Sequence, residues 1–342
     1  MERRTFPWLV GLLAFGALAA VAWWWRRIPQ TPPEVAVHPI PLSGGPESGE
    51  AEISGLTWFG DHLVLLPQYP ELFPLEGRGA LFSIRRGELE AYLDGERTDP
   101  VTASVVPLSA PGLADAFPGF DGFEAIAFAG DRVFVTVETR RDDAETVGWL
   151  VGGRVEGDLA SVVLDPAHRA RLPAQNELPN TAYEALVVHG DRLLVLYETN
   201  GEVNPRPQVL VFDHALSPLG ALRIDPLEYR LTDATAVDEE GHFWVSNYHW
   251  PGAPWQPGVC SLTERYGEGE SHQRCRTVER LVELRVTDDF VGPTRHPPIL
   301  LELVDDAHAR NWEGVVRLGD RGFLVMTDEH PESMLAFVPF DG

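Results

Sequence analysis

The segment FEAIAFAGDRVFVTVET (residues 123–139) matches YEALVVHGDRLLVLYET (183–199) at eight of seventeen positions. The same frame fits residues 53–68, 231–247 and 311–329, and the Gly-Asp pair recurs in four of the five copies. Gly-Asp between two apolar runs is typical of a tight β-hairpin. Because the flanking runs are apolar almost throughout, we expect strands that are buried on both faces.

Strand-like sequence continues behind each hairpin and predicts an all-β fold, a β-propeller. Four strands per unit, at spacings of 49 to 80 residues, is the pattern of propeller blades. Five blades are favoured; a sixth, degenerate blade in the long gap between Asp233 and Glu313 is the alternative. A β-sandwich of this length is less consistent with so regular a repeat. The fifth unit lacks its outermost strand, and we expect residues 35–42 to supply it by pairing with residues 334–340.

The N-terminal region predicts a membrane anchor over residues 1–27, followed by a tether and ring-closing strand over 28–50 and the propeller over 51–342. Residues 6–25 carry no charge and are long enough to span the roughly 30 Å hydrocarbon core of a bilayer. Arginines flank the run on both sides, so charge alone does not orient it. A cleaved signal peptide with an A-x-A site at residues 17–19 is the alternative. The tryptophans at 23–25 favour an anchor, because they suit an interfacial belt.

The cysteine pair bears on the side of the membrane where the propeller lies. Cys260 and Cys275 enclose a polar stretch that looks like a long hairpin tip, and we expect a disulfide between them, with two unrelated thiols as the alternative. A disulfide would place the propeller in an oxidising compartment, periplasmic or extracellular. The chain would then be a single-pass protein of the cytoplasmic membrane with its N-terminus inside.

The charge of the chain excludes one class of partner. It carries 52 acidic and 27 basic residues, a formal net charge of −25, and every basic residue is arginine. Nucleic-acid phosphates would be repelled by such a protein, so we expect no nucleic-acid partner.

A polar residue opens the first strand of every repeat, and four of the five are acidic. They are Ser54, Glu124, Glu184, Asp233 and Glu313. Fourteen positions later, at the end of the second strand, stand Gln68, Glu138, Glu198, Asn247 and Thr327, with Asp328 next to the last. A hairpin returns to the end where it started, so both sets should meet at one mouth of the channel. Bound Ca²⁺ at Glu124, Glu184, Asp233 and Glu313 is one interpretation; hydrogen bonds to the backbone of the next blade are the other.

These acidic openings, the Gly-Asp hairpins and the segments DEEGHFWVSN and FLVMTDE resemble the "esterase-like activity of phytase" family and related calcium-binding propellers. The resemblance covers roughly residues 50–340. It implies a propeller with a site at the channel mouth, possible calcium binding, and hydrolysis of esters or phosphoesters. Glu124, Glu184, Asp233 and Glu313 match the repeated acidic position, and Ser54 departs from it.

Local catalytic motifs are absent from the sequence: it has no G-x-S-x-G, P-loop, H-E-x-x-H or C-x-x-C. His249 and His330 follow second strands and are weak candidates for a general base, with ordinary surface histidines as the alternative. Trp250 and Trp255 lie in an aromatic, proline-rich loop that suits either a partner surface or packing on its own blade.

Two functional classes follow. The first is a non-catalytic binding or scaffold subunit of a membrane complex, in which Gly11 and Gly16 form a small-residue face for another transmembrane helix. The second is a membrane-tethered, metal-dependent ester or phosphoester hydrolase. The sequence alone favours the first.

Overall fold

The repeated hairpins fold as the sequence predicts. A computed structural model describes residues 31–75, 78–140, 146–328, 330 and 332–340. In the first three hairpins the Gly-Asp pair forms a two-residue loop, with Phe59 opposite His62, Ala129 opposite Arg132, and His189 opposite Arg192. Gly60 has φ +58° and Gly130 φ +64°, in the left-handed region that glycine enters without a Cβ clash. The turn residues therefore set the register of each hairpin.

Five blades form in chain order, and outer parallel pairs link the first to the second and the third to the fourth. The first blade contains β4 (Ile53–Phe59), β5 (His62–Pro67), β6 (Gly79–Arg85) and β8 (Ser104–Ser109). The second contains β9 (Phe120–Ala129), β10 (Arg132–Thr139), β11 (Val147–Glu156) and β12 (Ser161–Leu172). The third contains β13 (Ala185–His189), β14 (Arg192–Leu196), β15 (Gln208–Asp213) and β16 (Pro218–Ile224).

The last two blades differ at their outer edges. The fourth contains β17 (Arg230–Ala234), β18 (His242–His249) and β19 (Val278–Val286), with β20 (Phe290–Pro293) and β21 (Ile299–Leu301) sharing the outer position. The fifth contains β22 (Trp312–Arg317), β23 (Gly322–Thr327), β24 (Leu335–Pro339) and the N-terminal strand β2 (His38–Ile40). The expected fourth strand of the last blade thus comes from the other end of the chain.

The ring is closed by contacts among its inner strands and by an N-terminal strap on its outside. The inner strands contact one another in the order β4, β9, β13, β17, β22 and back to β4. Around the outside, a strap of three short strands runs across three blades. In the strap, β1 (Glu34–Val35) pairs with β21 of the fourth blade, β2 with β24 of the fifth, and β3 (Leu42–Ser43) with β7 (Val101–Thr102) beside the first. The described residues therefore form a five-bladed propeller.

The core consists of five apolar layers, one between each pair of adjacent blades. Strand β5 shows how the sequence builds them. Leu63 and Leu65 pack against the fifth blade, whereas Val64 and Leu66 pack against the second. Successive side chains of a strand point to opposite faces, so a continuously apolar strand fills two layers at once.

Helices are few and peripheral. They are α1 (Arg86–Leu93), α2 (Leu113–Ala116) and α3 (Ser261–Tyr266), with 3-10 turns at Gly49–Ala51, Pro70–Leu72 and Asp306–His308. Within the part of the chain that the structure describes, no helix has the length and apolar character needed to cross a bilayer. The predicted anchor, including Gly11 and Gly16, lies outside the described residues.

The expected disulfide is wrong. Cys260 and Cys275 are both free thiols. The stretch between them is not a hairpin tip: it begins with α3, and its end is held by Glu34 through Ser271 and His272. Cys260 is buried, and its Sγ accepts a hydrogen bond of 3.1 Å from Arg280. The argument that placed the propeller in an oxidising compartment therefore loses its structural basis.

Candidate active site at the channel mouth

The repeated polar position at the start of each first strand is a β-bulge. In the second blade Thr136 lies opposite Ala125 and Val137 opposite Phe123, so Glu124 has no partner across the ladder. The same shift singles out Ser54, Thr232 and Glu313 in the first, fourth and fifth blades. In the third blade the Glu198 N–H bonds to the Ala182 carbonyl, one residue off the register of β13 and β14, which gives Glu184 the same place. Bulges redirect a side chain out of the regular alternation.

The bulge residue of the fourth blade is therefore Thr232, and the assignment of Asp233 to the acidic ring is wrong. Asp233 stands one residue further along and is buried. Its Oδ2 accepts hydrogen bonds from the backbone N–H groups of Val315 (2.7 Å) and Leu56 (3.3 Å). It does not line the mouth.

The two bulge hydroxyls make the backbone contacts that were the alternative to metal binding. Ser54 Oγ donates to the Phe123 carbonyl at 2.6 Å, and Thr232 Oγ1 donates to the Trp312 carbonyl. Phe123 and Trp312 directly precede the bulge glutamates Glu124 and Glu313 of the next blades. The short bulge residues thus fasten one blade to the next, whereas the long ones reach the mouth.

The glutamates meet around a polar cavity of about 230 Å³ that opens to solvent. Its described lining is dominated by acidic groups: Glu52, Asp121, Glu124, Glu138, Glu184, Glu313 and Asp328. The other lining residues are Gln68, Tyr69, Arg140, Asn180, Arg230, Asn311 and His330. Sequence analysis placed Glu124, Glu184 and Glu313 at this mouth correctly, with Gln68, Glu138 and Asp328 beside them.

Arg230, at the start of β17, is the cation among these carboxylates. Its guanidinium pairs with Glu198 and lies 3.0 Å from Glu184 and 3.9 Å from Glu313, so it joins the third, fourth and fifth blades. Burial alone would lower the pKa of Arg230, but the three carboxylates raise it well above its usual value. The guanidinium carries a permanent positive charge. Because its side chain is only 19 % exposed, this charge has little access to water.

Burial and mutual repulsion raise the pKa values of the carboxyl groups. The pKa of Glu138 rises to about 8, because the group is buried and lies near Glu184 and Asp121. The pKa of Glu198 rises to about 7, mainly by burial, although Arg230 opposes the shift. The pKa values of Glu124 and Glu184 lie well above the usual range, with burial as the main cause. The mouth therefore holds carboxyl groups that keep or share protons near neutral pH.

A second carboxyl pair stands on the fifth blade. Asn311 Nδ2 donates to Glu313 Oε1 at 2.5 Å and to Asp328 Oδ2 at 2.8 Å, so one amide bridges the two acids. The pKa of Glu313 is raised well above its usual value by burial and by the charge of Asp328. The two groups titrate as a pair rather than independently.

The two histidine candidates lie in different surroundings. His249 is buried against Tyr229, does not line the mouth, and has its pKa lowered to about 4 by burial and by nearby Arg276 and Arg230. A general base at this mouth is therefore not His249. His330 does line the mouth, and its Nδ1 lies 3.9 Å from Asp328.

The proposed partner surface is only partly open. Trp250 is half exposed, and Trp255 is partly buried. The loop between β18 and α3 is held to the propeller through Glu228, which accepts a hydrogen bond from the Gly258 N–H at 2.8 Å. A partner role for the two tryptophans stays a prediction.

The carboxyl oxygens have the chemistry that Ca²⁺ prefers, but their arrangement does not fit a resident Ca²⁺. Among the described residues, no three His, Cys, Asp or Glu side chains are placed to share one metal ion. Asp233, one of the four expected ligands, is engaged elsewhere. The Arg230 guanidinium already stands among the carboxylates of Glu184, Glu198 and Glu313, where a metal would otherwise supply positive charge. No step below is therefore routed through a metal.

Comparison with known proteins finds no matching family model and no matching curated protein. Solved structures with a similar overall course of the chain exist at low identity. The soluble aldose sugar dehydrogenase of Escherichia coli is 12 % identical, with a TM-score of 0.46 over 88 % of this chain and 98 % of that one. The GH43 endo-arabinanase of Bacillus licheniformis is 10 % identical, with a TM-score of 0.44 over 87 % and 96 % of the two chains.

These likenesses concern the fold alone. The propeller implied by the family resemblance is present in the strand pairing of the chain, whereas no family model supports the phytase-related esterase family itself. The neighbours carry the names of enzymes. The expectation of a non-catalytic scaffold subunit is corrected at the channel mouth, where buried carboxyl groups line a cavity that opens to solvent.

Proposed function

We propose that the channel mouth is an active site in which carboxyl groups act as general acid and general base, and that the chain is a hydrolase. The observation that carries this proposal is Glu138. It is buried, lines the cavity, and has a pKa of about 8, so it keeps a proton at neutral pH. A carboxyl group in this state can donate its proton to a leaving group.

The general base is assigned to the pair of Glu313 and Asp328. Two carboxyls bridged by Asn311 resist ionising together, so one member loses its proton first. Arg230, 3.9 Å from Glu313, favours that ionised member. The resulting carboxylate faces a solvent-open cavity and can take a proton from an attacking water.

The charge of the cavity favours uncharged or positively charged substrates. The lining contains seven acidic side chains and two arginines, and both arginines already contact carboxylates. A phosphomonoester would bring up to two negative charges into this field, and neither arginine of the described lining is left unpaired to receive them. Of the two substrate classes that the family resemblance implies, esters suit the charge of the mouth and phosphoesters do not.

The test is hydrolysis by the full-length chain of neutral methyl esters and methyl glycosides, whose poor leaving group needs the proton of a general acid, with methyl phosphate as the anionic comparison. We expect turnover of a neutral substrate, and a 10²- to 10⁴-fold fall in kcat, roughly, for Glu138→Gln. Glu239→Gln, an exposed substitution in the hairpin at the opposite face of the fourth blade, is the matched control. Turnover that is unchanged in Glu138→Gln contradicts the assignment.

The proposed place of action is the outer face of a membrane, with residues 6–25 as the anchor. The uncharged run in the sequence supports the anchor, and the outer side of the membrane stays a prediction. Association with other membrane subunits through Gly11, Gly16 or Trp250 stays a prediction.

A further inference from the structure

Arg280, on β19 of the fourth blade, is a buried cation held by an amide, a thiol and a hydroxyl. The residue is 3 % exposed. Its Nε donates to Asn247 Oδ1 at 2.8 Å, its Nη2 to Cys260 Sγ at 3.1 Å, and its Nη1 to Thr263 Oγ1 at a long 3.5 Å. Within the described ranges of the chain, no carboxylate oxygen lies within ion-pair distance of this guanidinium.

Two further arginines show how this protein neutralises a guanidinium that is held away from water. Arg310 Nε lies 2.8 Å from Glu279, and Arg230 pairs with Glu198; the side chains of both glutamates are 1 % exposed. A charge taken out of water is normally paired, because an isolated buried charge is costly. Arg280 departs from this pattern, and a guanidinium has more N–H donors than its three acceptors take up. It therefore has both charge and donors left for a ligand.

Arg280 lines a second cavity, of about 260 Å³, which shares no described lining residue with the channel mouth. The exposed Arg276 lines this cavity too, and Glu268 is the one acidic residue of its described lining. Glu268 is exposed and makes no ion pair with either arginine in the part of the chain that the structure describes. The balance of charge is thus the reverse of that at the mouth, where seven acids face two arginines.

We propose that this cavity of the fourth blade binds a small oxyanion, a carboxylate or a phosphate, through Arg280 and Arg276. The planar guanidinium of Arg280 suits two oxygens of such an anion, and it meets the anion from the buried side. Arg276 adds a second positive charge from the solvent side. The cavity has several times the volume of one water molecule, about 30 Å³, so acetate or phosphate fits. This inference goes beyond the proposed hydrolase and does not depend on it.

Two nearby groups offer other ways to balance the charge. Asp306 Oδ1 already accepts hydrogen bonds from the backbone N–H groups of Arg276 and Thr277 and from the Thr277 hydroxyl. Burial raises the pKa of Cys260, but Arg280 and Thr263 lower it overall, so a Cys260 thiolate is the stronger rival. Cys260 is absent from the described lining of the cavity, whereas both arginines belong to it. The geometry therefore favours an anion from solution.

The test is calorimetric titration of the full-length chain with sodium phosphate and with sodium acetate, in Tris chloride buffer at constant ionic strength. We expect saturable binding, and the tighter of the two anions identifies the preferred chemistry. Arg280→Gln should weaken it by about tenfold or more, because charge-assisted hydrogen bonds are lost. Arg276→Gln, an exposed substitution, should weaken it by about two- to fivefold. Arg274→Gln is the matched control, since Arg274 is exposed, pairs with Glu270 at 2.8 Å and does not line the cavity.

The variants also define the results that overturn the inference. If Arg280→Gln does not fold, the comparison of Arg276→Gln with Arg274→Gln decides the result, and equal binding by these two variants contradicts the site. No saturable binding of either anion by the parent chain contradicts it as well. Cys260→Ala should bind at least as tightly as the parent. Binding that appears only in Cys260→Ala would mean that a thiolate neutralises Arg280, and the anion site would be withdrawn.

Discussion

The Asp233 carboxyl group accepts a hydrogen bond of 2.7 Å from the backbone N–H of Val315, which fastens the fourth blade to the fifth. The same oxygen accepts a weaker bond from the Leu56 N–H in the first blade. One buried side chain therefore joins three inner strands near the channel axis. Both N–H donors would lose their acceptor without it, and a buried unpaired N–H is costly.

We expect Asp233→Ala to lower the free energy of unfolding by about 2 to 5 kcal/mol, because it leaves two buried N–H groups unpaired. Asp233→Asn keeps an acceptor oxygen and no buried charge, so its effect should be within about 1 kcal/mol. Chemical denaturation of both variants checks this. An alanine variant as stable as the asparagine variant would mean that the two hydrogen bonds contribute little.

Glu34 fastens the N-terminal strap and should do so only above acidic pH. Its carboxylate accepts hydrogen bonds from Ser271 Oγ (2.8 Å) and His272 Nδ1 (2.7 Å) and from both backbone N–H groups. Burial raises the pKa of Glu34, but these hydrogen bonds lower it overall. The folded pKa is below the unfolded value, so this stabilisation is complete above about pH 4.5 and is lost as the pH falls through the folded pKa.

Hydrogen exchange should therefore show low protection factors for the strap amides, residues 34–43, at pH 3 and high protection factors at pH 7. Glu34→Gln should lower these protection factors already at pH 7, because one of the two acceptor oxygens becomes an NH₂ group that faces the hydrogen-bond donors of Ser271 and His272. The exposed Glu50→Gln serves as the control. A strap that stays protected in Glu34→Gln would show that strand pairing alone holds it.

Glu138 gives the opposite pH dependence. Its pKa of about 8 in the folded protein lies above the unfolded value of about 4.5, so the folded state binds more protons between these limits. Its contribution to stability is complete below about pH 4.5 and is lost as the pH rises toward 8, with a slope of up to about 1.4 kcal/mol per pH unit. We expect Glu138→Gln to flatten this fall in Tm between pH 5 and 8. An unchanged profile would place the titration on other groups.

The sequence predicts the propeller, its hairpins and its closure because those features are local. Glycine turns and continuously apolar strands determine the hairpins, and the missing strand of the last unit identifies its N-terminal replacement. The site is only partly predictable. Thr232 and Asp233 stand side by side, and only the bulge decides which of them takes the mouth position.

Arg230 escapes prediction for a related reason. It stands two residues before the bulge of the fourth blade, outside the frame that the repeats share, and the other copies have no arginine there. A single basic residue at the start of the first strand of this repeat, at the face where Glu124, Glu184 and Glu313 converge, was the available signal. The cysteine prediction failed because the fourteen polar residues between them resemble a hairpin tip, whereas the segment begins with a helix and is held at its end by Glu34.

Arg230 should determine whether the mouth takes up Ca²⁺. Arg230→Gln removes the positive charge from among Glu184, Glu198 and Glu313, and breaking a buried ion pair in this way typically lowers stability by about 3 to 5 kcal/mol. The loss should be larger at pH 8 than at pH 5, because protonated carboxyls repel less. Millimolar Ca²⁺ should raise the Tm of this variant and leave that of the parent chain and of the exposed control Arg171→Gln unchanged. If Ca²⁺ stabilises the parent chain equally, the guanidinium does not stand in for a metal, and the carboxylates hold an ion beside it.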